Sequence, residues 1–144
     1  MKPKDYFTPE QQKSIVEAIE QAELSTSGEI RVHIDLACKG DVLDQAAKTF
    51  AMLKMHKTKL RNGVLVYLSV QDHKFAIIGD AGINTQVPEN FWESTKLAML
   101  EKFKENNLTE GLVTGITMAG EQLKKYFPYK DDDINELENN ISFG

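Results

Sequence analysis

The chain is poor in most of the residues that build special chemistry or special architecture. It has one cysteine, Cys38, in 144 residues, so no intrachain disulfide can form and a reducing, cytoplasmic setting is the expected compartment. Four prolines, nine glycines and one tryptophan leave no low-complexity tract and no repeat. Basic residues are outnumbered 17 to 22, and the net charge of −5 argues against a broad nucleic-acid footprint. The most apolar run, Val64 to Leu68, falls far short of the roughly 18 residues of a membrane span. Near the N-terminus, MKPKDYFTPEQQ offers charge and proline where an export signal needs an apolar stretch, so none is expected.

Familiar catalytic signatures are missing too. There is no Gly-x-x-x-x-Gly-Lys-[Ser/Thr], no His-Glu-x-x-His and no Gly-x-Ser-x-Gly, and Asp44 stands six residues after Cys38 where a phosphatase loop needs arginine. His33, His56 and His73 lack the i, i+4 pairing of a helical zinc site. Asp131-Asp132-Asp133 opens like a calcium loop, but Glu136 occupies the glycine position and Ser142 the terminal glutamate position, so a solvated acidic tail is expected there. The segment from Tyr129 holds most of the net charge. The expected organisation is one α/β domain over residues 1–128 followed by an acidic tail over 129–144, partly disordered.

Within that domain the hydrophobic pattern is readable. Thr8-Pro9-Glu10-Gln11 combines a capping hydroxyl, a proline at the first helical position and a glutamine three residues on, which predicts a helix carrying Ile15, Ala18, Ile19 and Ala22 on one face. Glu29 to Asp35 alternates strictly, with Ile30, Val32 and Ile34 on one side of a strand. Asp41 is placed to cap a second helix whose Leu43, Ala46, Ala47, Phe50 and Leu53 face inward. Gly63 to Val70 reads as a central strand covered on both faces, and Gln71-Asp72 turns it into His73 to Gly79, giving a hairpin. Pro88 is read as a first helical position ahead of Phe91, Trp92, Leu97, Met99 and Phe103, with Trp92 in the core. Thr109 is read as the cap of a last helix, whose Gly111, Gly115 and Gly120 each cost about 1 kcal/mol against alanine unless packing needs the space.

A strand, a helical crossover and a parallel strand, followed by a hairpin, sort polar residues to the two rims of the sheet. Glu29, Asn62, Asp80, Gly82 and Asn84 fall on one rim, with Ser27, Arg61 and Gly79 beside them. Carboxylates, amides and glycine-exposed carbonyls are the ligands that Ca²⁺ or Mg²⁺ prefers, so this rim is the candidate metal site. The same residues also fit a plain role, satisfying turn amides and pairing with Arg61 or a lysine. Asp35, Asp41, Asp44, Asp72 and His73 collect on the opposite rim, where capping and the helix dipole already account for Asp41 and Asp44.

Three strings, Thr26-Ser-Gly-Glu-Ile-Arg-Val, Arg61-Asn-Gly-Val-Leu-Val-Tyr-Leu and His73-Lys-Phe-Ala-Ile-Ile-Gly-Asp-Ala-Gly-Ile, resemble the TPM domain family. That family is named for thylakoid-lumen, photosystem II repair and nematode receptor-auxiliary proteins. Gly111-Leu-Val-Thr-Gly-Ile and Tyr126-Phe-Pro extend the similarity over about residues 10–128, and Asn135 to Gly144 is similar to the end of compact bacterial members. The resemblance implies a three-layer α/β/α sandwich, a mixed central β-sheet flanked by helices, with a divalent-cation site near the loop after the third strand. Asn62 and Gly82-Ile83 match the family's positions there, while Arg61 and Asn84 stand where many members carry acidic residues. The function it implies is an accessory or interaction module binding Ca²⁺ or Mg²⁺ and a protein partner. The alternative is a metal-dependent acid phosphatase acting on phosphomonoesters, in which Asp80 and Glu29 would be the first ligands.

Overall fold

The structure is a computed structural model and describes residues 1–130 and 135–144; the acidic run at 131–134 lies outside the described residues. The first helix, α1 (Pro9–Glu23), starts as its sequence predicts. Thr8 Oγ1 accepts from Gln11 N at 3.1 Å and Gln11 Oε1 accepts from Thr8 N at 2.8 Å, a reciprocal box that satisfies two amides left free at a helix start. After it come β1 (Glu29–Asp35), α2 (Val42–Met52), β2 (Gly63–Ser69) and β3 (Lys74–Gly79). A single turn of helix, α3 (Ala81–Asn84), precedes the packed pair α4 (Glu93–Lys104) and α5 (Leu108–Leu123), and the last strand, β4, is Ser142–Phe143.

Among the described residues the strands form one mixed sheet in the order β3-β2-β1-β4. β1 runs parallel to β2 with Glu29 opposite Gly63, and β2 runs antiparallel to β3 with Val64 opposite Gly79. Every residue of β2 is buried, as an unalternating apolar central strand should be. One face presents Ile30, Val32, Ile34, Val64, Val66, Leu68 and Ile77 to α1, α4 and α5, forming the main core. The other face presents Leu65, Tyr67 and Ala76 to α2 and Met55, a smaller cluster. That is the expected three-layer sandwich. No helix among the described residues is long and apolar enough to cross a membrane.

The glycines of α5 are explained by close packing. A Cβ at Gly111 would run into the Phe103 ring, one at Gly115 would lie 2.5 Å from Met99 Sδ, and one at Gly120 would lie 2.8 Å from Ala22 Cβ. α5 therefore lies flush on both α4 and α1, and the propensity cost of each glycine is offset by dispersion contacts. Phe91 and Trp92 are buried in the core and meet edge to face at 4.7 Å, so Trp92 serves packing.

Several local expectations are corrected. Leu43 is 51% exposed and Ala47 is exposed, because α2 turns Ala46 and Thr49 to the sheet, with Val42, Phe50 and Leu53 at its flanks. Asp41 holds the cap position of α2 without making a side-chain cap bond. The helix read from Pro88 begins only at Glu93, since 88–92 is a turn region, and Leu97 is 63% exposed. Asn107, not Thr109, caps α5, its Oδ1 accepting from Glu110 N at 3.3 Å. Asn106 just before it takes the left-handed conformation (φ 61°) that asparagine tolerates best after glycine.

Candidate functional site

The strand register brings the starts of β1 and β2 and the end of β3 to one rim, so the five candidate ligands do share a corner of the molecule. Their side chains, however, serve different partners. Asp80 is buried, and its carboxylate receives Arg61 Nε at 2.7 Å, an Arg61 terminal nitrogen at 2.8 Å and the Ala81 amide at 2.7 Å. Burial alone would push its pKa up; the Arg61 hydrogen bonds, the Ala81 amide and the Arg61 charge outweigh it and hold the group below the ordinary carboxylate range. Asn62, equally buried, donates from Nδ2 to the Ser27 carbonyl at 3.0 Å and ties the start of β2 to the start of β1.

Gly82 has a steric reason. A Cβ there would overlap the Leu60 and Arg61 carbonyls, and its own N–H donates to Arg61 O at 2.9 Å, so α3 is laid directly on the backbone ahead of β2. Asn84 is exposed and donates from Nδ2 to Gly79 O at 3.0 Å. Glu29 turns the other way: its Oε1 accepts from the amides of Glu136 at 2.5 Å and Leu137 at 2.8 Å. Among the described residues no group of three or more His, Cys, Asp or Glu side chains is placed to hold a metal ion. The two Asp80 carboxylate oxygens receive three donors between them, from Arg61 and the Ala81 amide.

The anionic end of the rim lies at Glu29. Glu20, Glu23 and Glu29 line a concavity of about 290 Å³, walled further by Ser27, Tyr129 and Asn135. Glu23 Oε2 accepts from Ile30 N at 3.0 Å on the outer edge of β1. Its pKa is pushed up to about 7, chiefly by burial; the Ile30 amide opposes the shift, and the charges of Glu29 and Glu20 add to it.

The opposite rim does not converge. Asp41 and Asp44 are exposed at the start of α2, and His73 is exposed with φ 56° in the hairpin turn. Asp72 accepts from Cys38 N at 2.9 Å and Ser69 Oγ at 3.0 Å, and these bonds, the Cys38 amide first, lower its pKa. Asp35 belongs to a separate network with His33 and Tyr67, which sequence reasoning did not identify.

That network is part of a strap. Residues 135–144 run along the polar face and outer edge of β1, where Glu29, Arg31, His33 and Asp35 all point the same way. Glu29 takes the Glu136 and Leu137 amides, and Arg31 reaches Glu138 at 3.6 Å. Leu137 packs into the smaller cluster. His33 Nδ1 meets Ser142 Oγ at 2.8 Å, and His33 Nε2 meets Asp35 Oδ1 at 2.7 Å. Tyr67 donates to Asp35 Oδ2 at 2.5 Å, and burial together with that bond raises the phenol's pKa. The order hydroxyl, imidazole, carboxylate is that of a nucleophile relay. Here His33 is 2% exposed and Ser142 is paired into the sheet, so the relay fastens β4. The signal available in the sequence was the alternation itself, four ionisable residues on one face of a strand, which something has to cover.

Among the described residues, a mixed four-stranded sheet with three helices on one face, and one helix and a strap on the other, defines an α/β/α sandwich. The TPM domain family model matches residues 1–122, and the chain belongs to that family. It is 52% identical to the BA42 protein from the psychrophilic bacterium Bizionia argentinensis, whose NMR structure superposes with a TM-score of 0.91 over 96% of this chain and 95% of that one. Two further NMR structures share the fold at low identity. The N-terminal domain of a P. gingivalis protein is 18% identical, with a TM-score of 0.68 over 84% of this chain and 78% of that one. The N-terminal domain of cg2496 from Corynebacterium glutamicum is 10% identical, with a TM-score of 0.65 over 89% and 80%. No curated protein matches the chain.

Proposed function

We propose that this TPM-domain protein is an accessory module that binds a protein partner and takes one divalent cation, Ca²⁺ or Mg²⁺, at the Glu29 end of its sheet rim. The observation that supports the reading is the concavity shared by Glu20, Glu23 and Glu29, in which burial and like charges push Glu23 up to about 7. A divalent ion would relieve that repulsion, and carboxylate and amide oxygens are the ligands it prefers. Glu29 and Glu23 are the ligands of this reading, with Asn135 on the wall. Asp80, Asn62, Gly82 and Asn84 then form the scaffold behind it, with Arg61 as the counter-ion of Asp80.

Titration of the full chain with Ca²⁺ and with Mg²⁺, followed by amide NMR, tests this. Shifts are expected over 23–30, weakened severalfold in Glu23→Gln. Shifts confined to 80–84 would return the site to Asp80, and a spectrum unmoved by either ion would remove the cation from the account. Hydrolysis of a generic phosphomonoester, measured alongside, distinguishes the alternative. The module reading expects no turnover, whereas a rate that rises with metal and falls in Glu29→Gln at unchanged fold would make the protein a phosphatase.

A further inference from the structure

The strap makes β1 look like a receptor already holding its ligand. We propose that the polar face and outer edge of β1 form a docking groove for an extended peptide, filled in cis by residues 135–144 and open to the same segment of a second copy of this chain.

Four features carry the proposal. Successive face positions of β1 each meet a different group of the strap: Glu29 the amides of 136 and 137, Arg31 the carboxylate of Glu138, and His33 the hydroxyl of Ser142. Backbone pairing contributes little to this register, since β4 pairs with His33 and Ile34 alone and Gly144 N donates to Ile34 O at 2.9 Å. Side-chain recognition therefore sets where the strap sits.

The cis occupant also leaves the groove partly unfilled. Arg31 Nε is buried with no hydrogen-bond partner among the described residues, and the Ile30 amide on the same edge is capped by the Glu23 side chain instead of a strand. A buried orphan donor is a cost that a better-seated peptide would remove.

Finally, the groove selects for glycine. A Cβ on residue 144 would overlap Asp35 Oδ1, lie 2.9 Å from its Cγ and lie 3.3 Å from His33 Nε2. Asp35 cannot swing aside, because His33 holds one oxygen and Tyr67 the other. A side chain at 144 thus expels the strap, not the carboxylate.

All of these contacts join segments about 107 to 109 residues apart in the chain, so they would be identical if the strap came from another molecule. At micromolar concentration the tethered strap wins, since a short tether gives an effective concentration on the order of millimolar. Disabling the cis strap opens the groove to a second copy. The inference stands without the cation reading.

A complementation experiment tests it with full chains. Gly144→Leu keeps the groove but carries a strap that cannot seat; Arg31→Glu keeps the strap but repels Glu138 from its own groove. Each alone is expected to sediment as a monomer, and an equimolar mixture as a one-way dimer. A mixture of the two folded variants that stays monomeric overturns the proposal, and so does a Gly144→Leu chain whose amides at 142 and 143 remain as protected as in the unaltered protein. If Arg31→Glu does not fold, a synthetic peptide of residues 135–144 replaces it as donor. It is expected to shift the His33 and Ile34 amides of the Gly144→Leu chain, at least tenfold more tightly than a peptide ending in leucine. No shift, or equal binding of the two peptides, overturns the proposal.

Discussion

The two faces of the sheet are held by different physics. Against α1, α4 and α5 lies a dry layer of Ile, Val and Leu, closed by glycines that let α5 settle on its neighbours. Against α2 and the strap, β2 and β3 show the smaller cluster of Leu65, Tyr67 and Ala76, while β1 shows Glu29, Arg31, His33 and Asp35. The strap meets the first three of these by hydrogen bonds and one ion pair, and adds Leu137 to the smaller cluster and Ile141 and Phe143 to the margin of the main core. Apolar burial is non-directional and additive over area, so the first face tolerates small shifts and carries most of the stability. Hydrogen bonds net only about 1 kcal/mol each but fix geometry, so the second face specifies where the strap lies more than it stabilises the domain.

Mutations on the two faces should therefore differ in size and in kind. The largest loss is expected from Ile116→Ala, which empties a fully buried site in the main core and should cost about 2–5 kcal/mol in denaturant unfolding. A loss under about 1 kcal/mol would mean that this face is looser than its packing implies. Next comes the half-buried acid Glu23 at the rim. Glu23 has a folded pKa of about 7 against an ordinary 4.5, so its ionised form is disfavoured by folding. That penalty is absent below pH 4.5, grows between 4.5 and 7 and is complete above 7. Glu23→Gln, which can still accept from Ile30, is expected to stabilise the protein at pH 8 by about 1–2 kcal/mol and to be neutral at pH 4, as read by thermal melts at the two pH values. Equal effects at both would show that charge is not the cause.

Thr8→Ala removes the capping hydroxyl of α1 and should cost about 1 kcal/mol, with fraying confined to the first turn. Ser142→Ala, on the polar face, should change global stability by less than about 1 kcal/mol while speeding hydrogen exchange in the strap. Asp80 behaves oppositely to Glu23. Its folded pKa is depressed, so the stability it contributes is present above the ordinary carboxylate range and is lost as the pH falls through its lowered value.

What could be read from the chain follows the same division. The apolar face was legible because period-2 and period-3.6 patterns are local: Ile30, Val32 and Ile34 announce a strand, and Thr8 with Gln11 announces a helix start. The rim was legible as a location, since strand order alone places Glu29, Asn62 and Asp80 together. Side-chain partnership was not legible. Whether Asp80 faces Arg61 or a shared centre with Glu29 depends on rotamers fixed by tertiary contact, and Glu29 pairs with amides about 107 residues away. The course of 135–144 was hidden for the same reason, its sequence carrying little apolar periodicity. Leu43 and Ala47 misled because α2 meets the sheet through a narrow contact centred on Ala46 and Thr49, so an apolar residue one turn aside is left in solvent.

Native-state amide hydrogen exchange of the unaltered protein tests the contrast between the faces most directly. The amides of Val66 and Ile77 should exchange only with global unfolding, while those of Leu137 and Gly144 should exchange through a separate local opening at least 2 kcal/mol lower, which Ser142→Ala lowers further without moving Val66. Equal exchange free energies across all four, or a Ser142→Ala effect felt equally at Val66, would contradict the division.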